Sequence, residues 1–335
     1  ESGGSTYFRI DTFPAYGRLS GLDPSGIKAG ARVESDEYEK DDVRDFVLWK
    51  ARKEGEPSWS APIGEGRPGW HIECSAMSMK YLGPSFDIHT GAVDNIFPHH
   101  ENEIAQSEAA TGLPFVRTWM HCAHLIVDGE KMSKSKGNFY TLRDLLGRGL
   151  SARAIRYFLL SSHYRKPLNF TLEGVGQAAQ ALERLDAFEE RVESERRRAR
   201  GGAAPSPAGE SLAEIVRIYS RSFEAALDDD LNTAEALGAI FELVRAVNAA
   251  LDRNEADASG LEAAMEAHDG FRRVFGIQGR RDAPLSPEME ALVNARQEAR
   301  RRKDFAEADR IRVTLLELGI VLEDTPAGVR WKRVS

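Results

Sequence analysis

Phe86-Asp87-Ile88-His89-Thr90-Gly91, then Phe97-Pro98-His99-His100-Glu101-Asn102-Glu103-Ile104-Ala105-Gln106, then the apolar stretch over residues 119–127 are the three pieces that decide the fold. The first has the aromatic and β-branched content of a strand and runs into a glycine turn. The second carries a proline in its first turn and reads as a helix. The third, Trp119 to Val127, reads as another strand. Strand, helix and strand joined by short links predict a parallel βαβ unit, whose functional groups gather at the carboxyl ends of the strands. His89 and the loop after Val127 are expected at such ends.

That loop is Glu130-Lys131-Met132-Ser133-Lys134-Ser135-Lys136-Gly137-Asn138. Three lysines on a glycine-terminated loop can close over a polyphosphate and neutralise the charge that grows on a leaving pyrophosphate. A solvated basic loop is the plainer alternative. Upstream, residues 6–10 read as a strand, and residues 14–68 mix short aromatic runs such as Phe46-Val47-Leu48-Trp49 with Gly, Pro and acidic residues, as in a small mixed domain or insertion. Trp70-His71-Ile72-Glu73-Cys74-Ser75-Ala76-Met77 opens a short helix.

Downstream the pattern is helical: residues 141–146, 151–160 and 174–200, the last with Ala181, Leu182, Leu185 and Phe188 on one face. A Gly- and Pro-rich linker over 201–209 precedes helices over 211–227 and 233–254, together an antiparallel bundle. In the tail, Ser286-Pro287 is an N-cap followed by proline at N1, and Asp304 with Glu307 opens a second helix closed by Gly319. Residues 320–324 and 329–332 then form a hairpin.

At 335 residues, 41% hydrophobic and 29% charged, the chain suits two or three soluble domains. No apolar run approaches the roughly 18 residues of a membrane span, and no signal-peptide pattern opens the chain, so a cytoplasmic protein is expected. The formal charge of −8 excludes a generally basic nucleic-acid binder. It leaves room for local basic faces at residues 196–198, 300–303 and 330–333, each equally readable as a solvated surface. Two cysteines, Cys74 and Cys122, give no disulfide framework.

Cys74, His99 and Glu103 are the second chemical signal. His99 and Glu103 stand four apart and share a helix face, and thiolate, imidazole and carboxylate can jointly hold Zn²⁺. A buried cysteine beside a surface His/Glu pair is the alternative. Three protein ligands would leave a fourth position at which a substrate thiol could bind in preference to a hydroxyl.

The order Lys131-Met132-Ser133-Lys134-Ser135 resembles the signature loop of class I aminoacyl-tRNA synthetases. With residues 69–77, 97–108, Trp119-Met120-His121 and 319–326, the resemblance narrows to the cysteinyl-tRNA synthetases and covers essentially the whole chain. It implies an α/β plus α architecture: the second half of a class I Rossmann-like catalytic fold, a helical bundle and a small C-terminal anticodon-binding module. The implied domains are the remainder of a connective insertion (1–66), the catalytic half with its zinc site (67–128), the lysine-loop region (129–173), the bundle (174–278) and the anticodon module (284–335).

The same resemblance implies the site. Cys74, His99 and Glu103 match three of four zinc ligands, Trp70 a side chain lining the cysteine pocket, and His89 a histidine beside the bound amino acid. Lys131 and Lys134 match the catalytic lysines, and Met132, Ser133, Ser135, Gly91 and Asp94 complete the ATP contacts. The implied cofactors are one Zn²⁺ and Mg²⁺ with ATP; the implied partners are tRNA(Cys), ATP and L-cysteine, with the protein a monomer and no membrane involved. Cysteine would be activated as its adenylate and passed to a terminal ribose hydroxyl of the tRNA. Arg300, Asp309 and Asp324 match residues that contact anticodon bases, and Phe305 stands where the family commonly has tryptophan. Thr90, Ala92 and Lys136 also depart from the pattern.

No His-Ile-Gly-His type motif and no early fourth cysteine ligand are found, so the expectation is a chain truncated at its amino terminus and inactive alone. Two other functions fit part of the pattern: a non-catalytic tRNA-binding protein, and a cysteine ligase acting on an amino-sugar.

Overall fold

The computed structural model describes residues 3–22, 45–200, 211–279, 286–325 and 328–333. The linker expected over 201–209 lies outside the described residues. The chain divides into two compact units, Glu1–Phe271 and Arg272–Ser335.

The irregular opening of the first unit resolves into a four-stranded antiparallel sheet of β1 (Thr6–Phe8), β2 (Phe46–Ala51), β3 (Trp59–Ala61) and β4 (Gly64–Pro68), in the order β1-β2-β4-β3. Its strand signal is weak because β4, Gly-Glu-Gly-Arg-Pro, has no apolar alternation. It pairs closely instead: a Cβ at Gly66 would stand 2.1 Å from the Lys50 carbonyl oxygen. Ile10, Tyr16 and Phe46 bury against Ala105 of the same unit.

Helix α1 (Trp70–Leu82) leads to β5 (Phe86–Ala92), α2 (Glu101–Thr111) and β6 (Val116–Cys122). β5 and β6 pair in parallel, with His89 opposite Trp119 and Gly91 opposite His121, so the predicted βαβ unit is present. Phe86, Phe115 and Val116 form its core, with Met79 and Trp119 packed on it.

Three sequence expectations are corrected here. The helix starts at Glu101 rather than Phe97: residues 96–100 form a wide turn with a cis Phe97–Pro98 bond, and Phe97 is extended at φ −137°, ψ 132°. A residue before proline is driven out of the helical region by its ring, which accounts for the delay. Secondly, the strand expected over 119–127 is two strands in different sheets. β6 ends at Cys122, and β7 (Leu125–Val127) lies between β8 (Glu130–Lys131) and β9 (Leu168–Phe170). The Ala123 amide donates to the Tyr164 carbonyl and His124 accepts from the Leu168 amide, which turns the backbone away from β5. Finally, the lysine loop therefore leaves β8 rather than the end of a strand in the βαβ sheet, and His89 sits inside β5, three residues before its end.

The remaining helices of this unit are α3 (Leu142–Gly147), α4 (Ala152–Leu160), α5 (Leu172–Arg200), α6 (Leu212–Asp228) and α7 (Thr233–Asp252), with α8 (Ala258–Phe275) spanning the division between units. A reciprocal Thr141/Asp144 capping box starts α3. Leu185 and Val192 of α5 and Ile240, Leu243 and Val247 of α7 are fully buried at helical spacing. α8 and β9 were not foreseen from the sequence. Among the described residues no helix is long and apolar enough to cross a membrane.

In the second unit, α9 (Pro287–Arg301) and α10 (Phe305–Glu317) precede a hairpin of β10 (Ile320–Thr325) and β11 (Gly328–Arg333). Ser286 Oγ and Asp304 Oδ1 accept from the Met289 and Glu307 amides, the caps the sequence predicts. Ile311, Leu315, Ile320 and Leu322 form the core.

Candidate metal centre and lysine loop

Trp70, His71 and Cys74 occupy the first turns of α1, and His99 and Glu103 flank the start of α2. One ligand atom from each of Cys74, His99 and Glu103 lies within 4.8 Å of the others. Gln106 Nε2 donates to Ser75 Oγ at 2.5 Å and to the His71 carbonyl at 2.7 Å, and Ser107 Oγ meets Ser75 Oγ at 2.8 Å. These buried bonds fix α1 against α2 on the turn that carries Cys74.

Glu103 is 0% exposed, and neither carboxylate oxygen has a hydrogen-bond donor. His99 Nε2 stands 2.8 Å from one oxygen and His89 Nε2 3.6 Å from the other, close but not aligned as donors. A buried carboxylate without donors is costly unless a cation offsets it. With a thiol and an imidazole beside it, the donor set fits Zn²⁺. His71 Nδ1 lies 2.8 Å from His99 Nδ1, a contact that orients the ring and leaves Nε2 toward Glu103. Trp70 is 57% exposed and stacks on His99 with ring centroids 4.0 Å apart. Burial, then the charges of Glu103 and Glu73, push the Cys74 thiol up to about 11, so a cation entering here displaces a proton.

His89, His100 and Glu103 form an overlapping group of possible ligands. His100 Nδ1 meets His121 Nε2 at 2.7 Å. Burial first, then the neighbouring histidines, hold the His100 ring down to about 3, so it is neutral at ordinary pH. Only the first triad offers sulfur.

On the lysine loop, Lys131 is exposed and Met132 is half-buried, lining a cavity of about 240 Å³ with Leu125, Val127, Leu145, Ile155 and Phe170. Asn138 ties the loop together: its Oδ1 accepts from the Ser133 amide at 2.8 Å and its Nδ2 donates to the Lys131 carbonyl at 3.2 Å. Ser133 and Ser135 share a hydroxyl hydrogen bond of 2.7 Å, and Lys136 pairs with Glu130 at 2.8 Å. Gly91 lies one residue before the end of β5, near His100, and Asp94 is exposed in the turn 93–95. In the second unit Arg300 and Asp309 are exposed on α9 and α10, and Asp324 is on β10. The side chains of Lys134 and Asp324 lie outside the described set.

The structure thus brings Cys74, His99, Glu103, His89 and Trp70 together. It sets the lysine loop on a different sheet, and the expected anticodon residues on three successive elements of the other unit.

The family model for the tRNA synthetase class I (C) catalytic domain matches residues 1–180, a DALR domain matches 222–278, and a cysteinyl-tRNA ligase anticodon binding domain matches 282–331. A cysteine–tRNA ligase of Solibacter usitatus is 52% identical over 337 residues, covering 99% of this chain and 70% of that protein. The chain belongs to the cysteine–tRNA ligases. It is a class I aminoacyl-tRNA synthetase by family, with the α/β plus α architecture expected of one. Similar ligases from Brachyspira hyodysenteriae (49% identical, covering 99% of this chain and 71% of the relative) and Symbiobacterium thermophilum (50%, 99% and 70%) agree.

Within this ligase, sequence reasoning missed four supports of the site. Glu101, 0% exposed, accepts from the backbone amides of Gly17 at 2.8 Å, Leu19 at 3.2 Å and Ser20 at 2.9 Å, and Asn102 accepts from the Tyr16 hydroxyl at 2.5 Å. His71 and Asn138 are the others. Glu101 beside two histidines was visible, but its partners lie more than eighty residues away in the chain.

Proposed function

We propose that this ligase selects cysteine at Cys74, His99 and Glu103 with a bound zinc ion, and activates it as an adenylate for transfer to tRNA(Cys). The observation that carries the reading is the fully buried Glu103 carboxylate, without a hydrogen-bond donor, facing a thiol and an imidazole. When bound, the metal would supply a soft Lewis acid that prefers a thiol to a hydroxyl.

The chain's own residues would do the rest. Trp70, stacked on His99, walls the pocket, and His89 stands beside the amino acid. Lys131 and Lys134, on a loop held by Asn138, neutralise charge on the departing pyrophosphate of Mg²⁺-ATP, with Met132, Ser133, Ser135, Gly91 and Asp94 around the nucleotide. Arg300, Asp309 and Asp324 would meet unstacked anticodon bases. The division at 1–66, 67–128, 129–173, 174–278 and 284–335, and a cytoplasmic monomer, belong to the same proposal.

Metal analysis and calorimetry test it. The purified chain is expected to carry near-stoichiometric zinc that Cys74→Ser and Glu103→Gln each lose. The zinc-loaded chain should bind cysteine at least about 10²-fold more tightly than serine, because a site built for one polar group rejects its analogue strongly. Zinc content unchanged by both substitutions overturns the triad.

A further inference from the structure

The first turn of α2 is gripped from two sides. Glu103 faces Cys74 and His99, whereas Glu101, two residues earlier and so on another face of the helix, meets a separate stretch of chain. Both carboxylates are fully buried. The Gly17 amide donates to one Glu101 oxygen at 2.8 Å, and the amides of Leu19 and Ser20 donate to the other at 3.2 and 2.9 Å. The Tyr16 hydroxyl donates to Asn102 Oδ1 at 2.5 Å, its ring stands edge-on to Phe97, and Arg18 pairs with Glu108. Residues 16–20 thus form a strap along α2, from the turn that carries His99 to Glu108 near the helix end.

The strap is shaped for a carboxylate. Gly17 turns the backbone at φ 94°, a conformation open to glycine, and the amides that follow converge on two acceptor oxygens. A glutamine at 101 would offer one acceptor oxygen and set its NH₂ group against an amide donor. Unmet donors are costly when buried, so loss of the carboxylate opens the strap rather than leaving it in place. His99 and Glu103 lie two residues to either side of Glu101, and a rotation of this turn carries both away from Cys74, which stands on α1.

We propose that Glu101 is a positioning residue for the metal centre: with the strap closed on it, His99 and Glu103 face Cys74, and metal binding and strap closure favour one another by the same factor. The inference rests on the triad proposed above. It adds that the affinity of that triad depends on residues 16–20, none of which supplies a ligand atom.

Zinc affinity, read by competition with a chromophoric chelator, and amide hydrogen exchange, read by mass spectrometry, test it on the full chain. In the wild type, zinc is expected to slow exchange over residues 16–20 at least about fivefold while leaving α6 and α7 unchanged. Glu101→Gln should weaken zinc binding at least about tenfold, as for other groups that orient ligands, and remove that slowing. Gly17→Ala acts from the strap without altering α2 and should weaken zinc binding similarly. With Co²⁺ as the probe, the visible ligand-field bands of Glu101→Gln should shift, which a loss of stability alone does not produce. Zinc binding that Cys74→Ser abolishes, but that stays within about twofold of wild type in both Glu101→Gln and Gly17→Ala, overturns the positioning role and leaves the triad standing. Exchange over residues 16–20 that is indifferent to zinc in the wild type overturns it as well. A wild-type chain that binds no zinc overturns both the triad and this inference.

Discussion

At the scale of single residues, Gly91 is where the candidate site tolerates least. A Cβ there would stand 2.5 Å from His100 Cε1 and 3.0 Å from its Nε2, and His100 is 2% exposed and bonded to His121. Gly91→Ala is expected to destabilise the first unit by about 1–3 kcal/mol, the usual cost of overpacking, measured as a lower urea midpoint. Asp230 shows the opposite, a strongly held surface charge. Hydrogen bonds from Arg165 and Tyr164 draw its carboxyl from 3.8 down to about 2. A depressed folded pKa stabilises fully above the unfolded value and loses that contribution as pH falls through the folded one. The gap in melting temperature between the wild type and Asp230→Asn should therefore be present at neutral pH and close between about pH 4 and pH 2. At this scale the sequence offered His99 and Glu103, four apart, with Cys74 on a separate helix, as candidate ligands, and the structure brings the three together. Their supports were not legible, because a carboxylate such as Glu101 declares its role only through amides brought from residues 17–20.

At the scale of elements, the lysine loop is held at two points, by the Asn138 amide across its neck and by Met132 against the apolar cavity. Asn138→Ala removes two hydrogen bonds worth about 1 kcal/mol each. Amides of residues 131–138 should then exchange at least roughly fivefold faster by hydrogen–deuterium mass spectrometry, with the global melting temperature nearly unchanged. An equal rise in exchange across α5 to α7 would contradict that assignment. The helices were legible because caps and periodicity are local, as at Ser286, Thr141 and Asp304. The strands were less so. The run 119–127 has no turn residue to mark its division, which is made by the Tyr164 carbonyl from another part of the chain.

At the scale of the molecule, two units with separate cores predict two unfolding events. Leu315 is 0% exposed in the core of the second unit. Leu315→Ala should cost that unit about 2–5 kcal/mol and lower only one of two calorimetric transitions. A single transition shifted as a whole would show the units to be coupled. The α/β plus α order was legible from the switch in periodicity after residue 138, while α8 went unread although Leu261, Ala264, Met265, Phe271 and Phe275 recur at helical spacing on its buried face.

The passage from β6 to β7 also bears on how such an enzyme can change. Residues 123 and 124 join the parallel sheet that presents His89 and Trp119 to the separate sheet from which the lysine loop hangs. Under the proposed roles, His89 beside the amino acid and the lysines that face the triphosphate are carried by different sheets. A change in the register of one sheet therefore need not disturb the other, and the lysine loop can shift without moving His89.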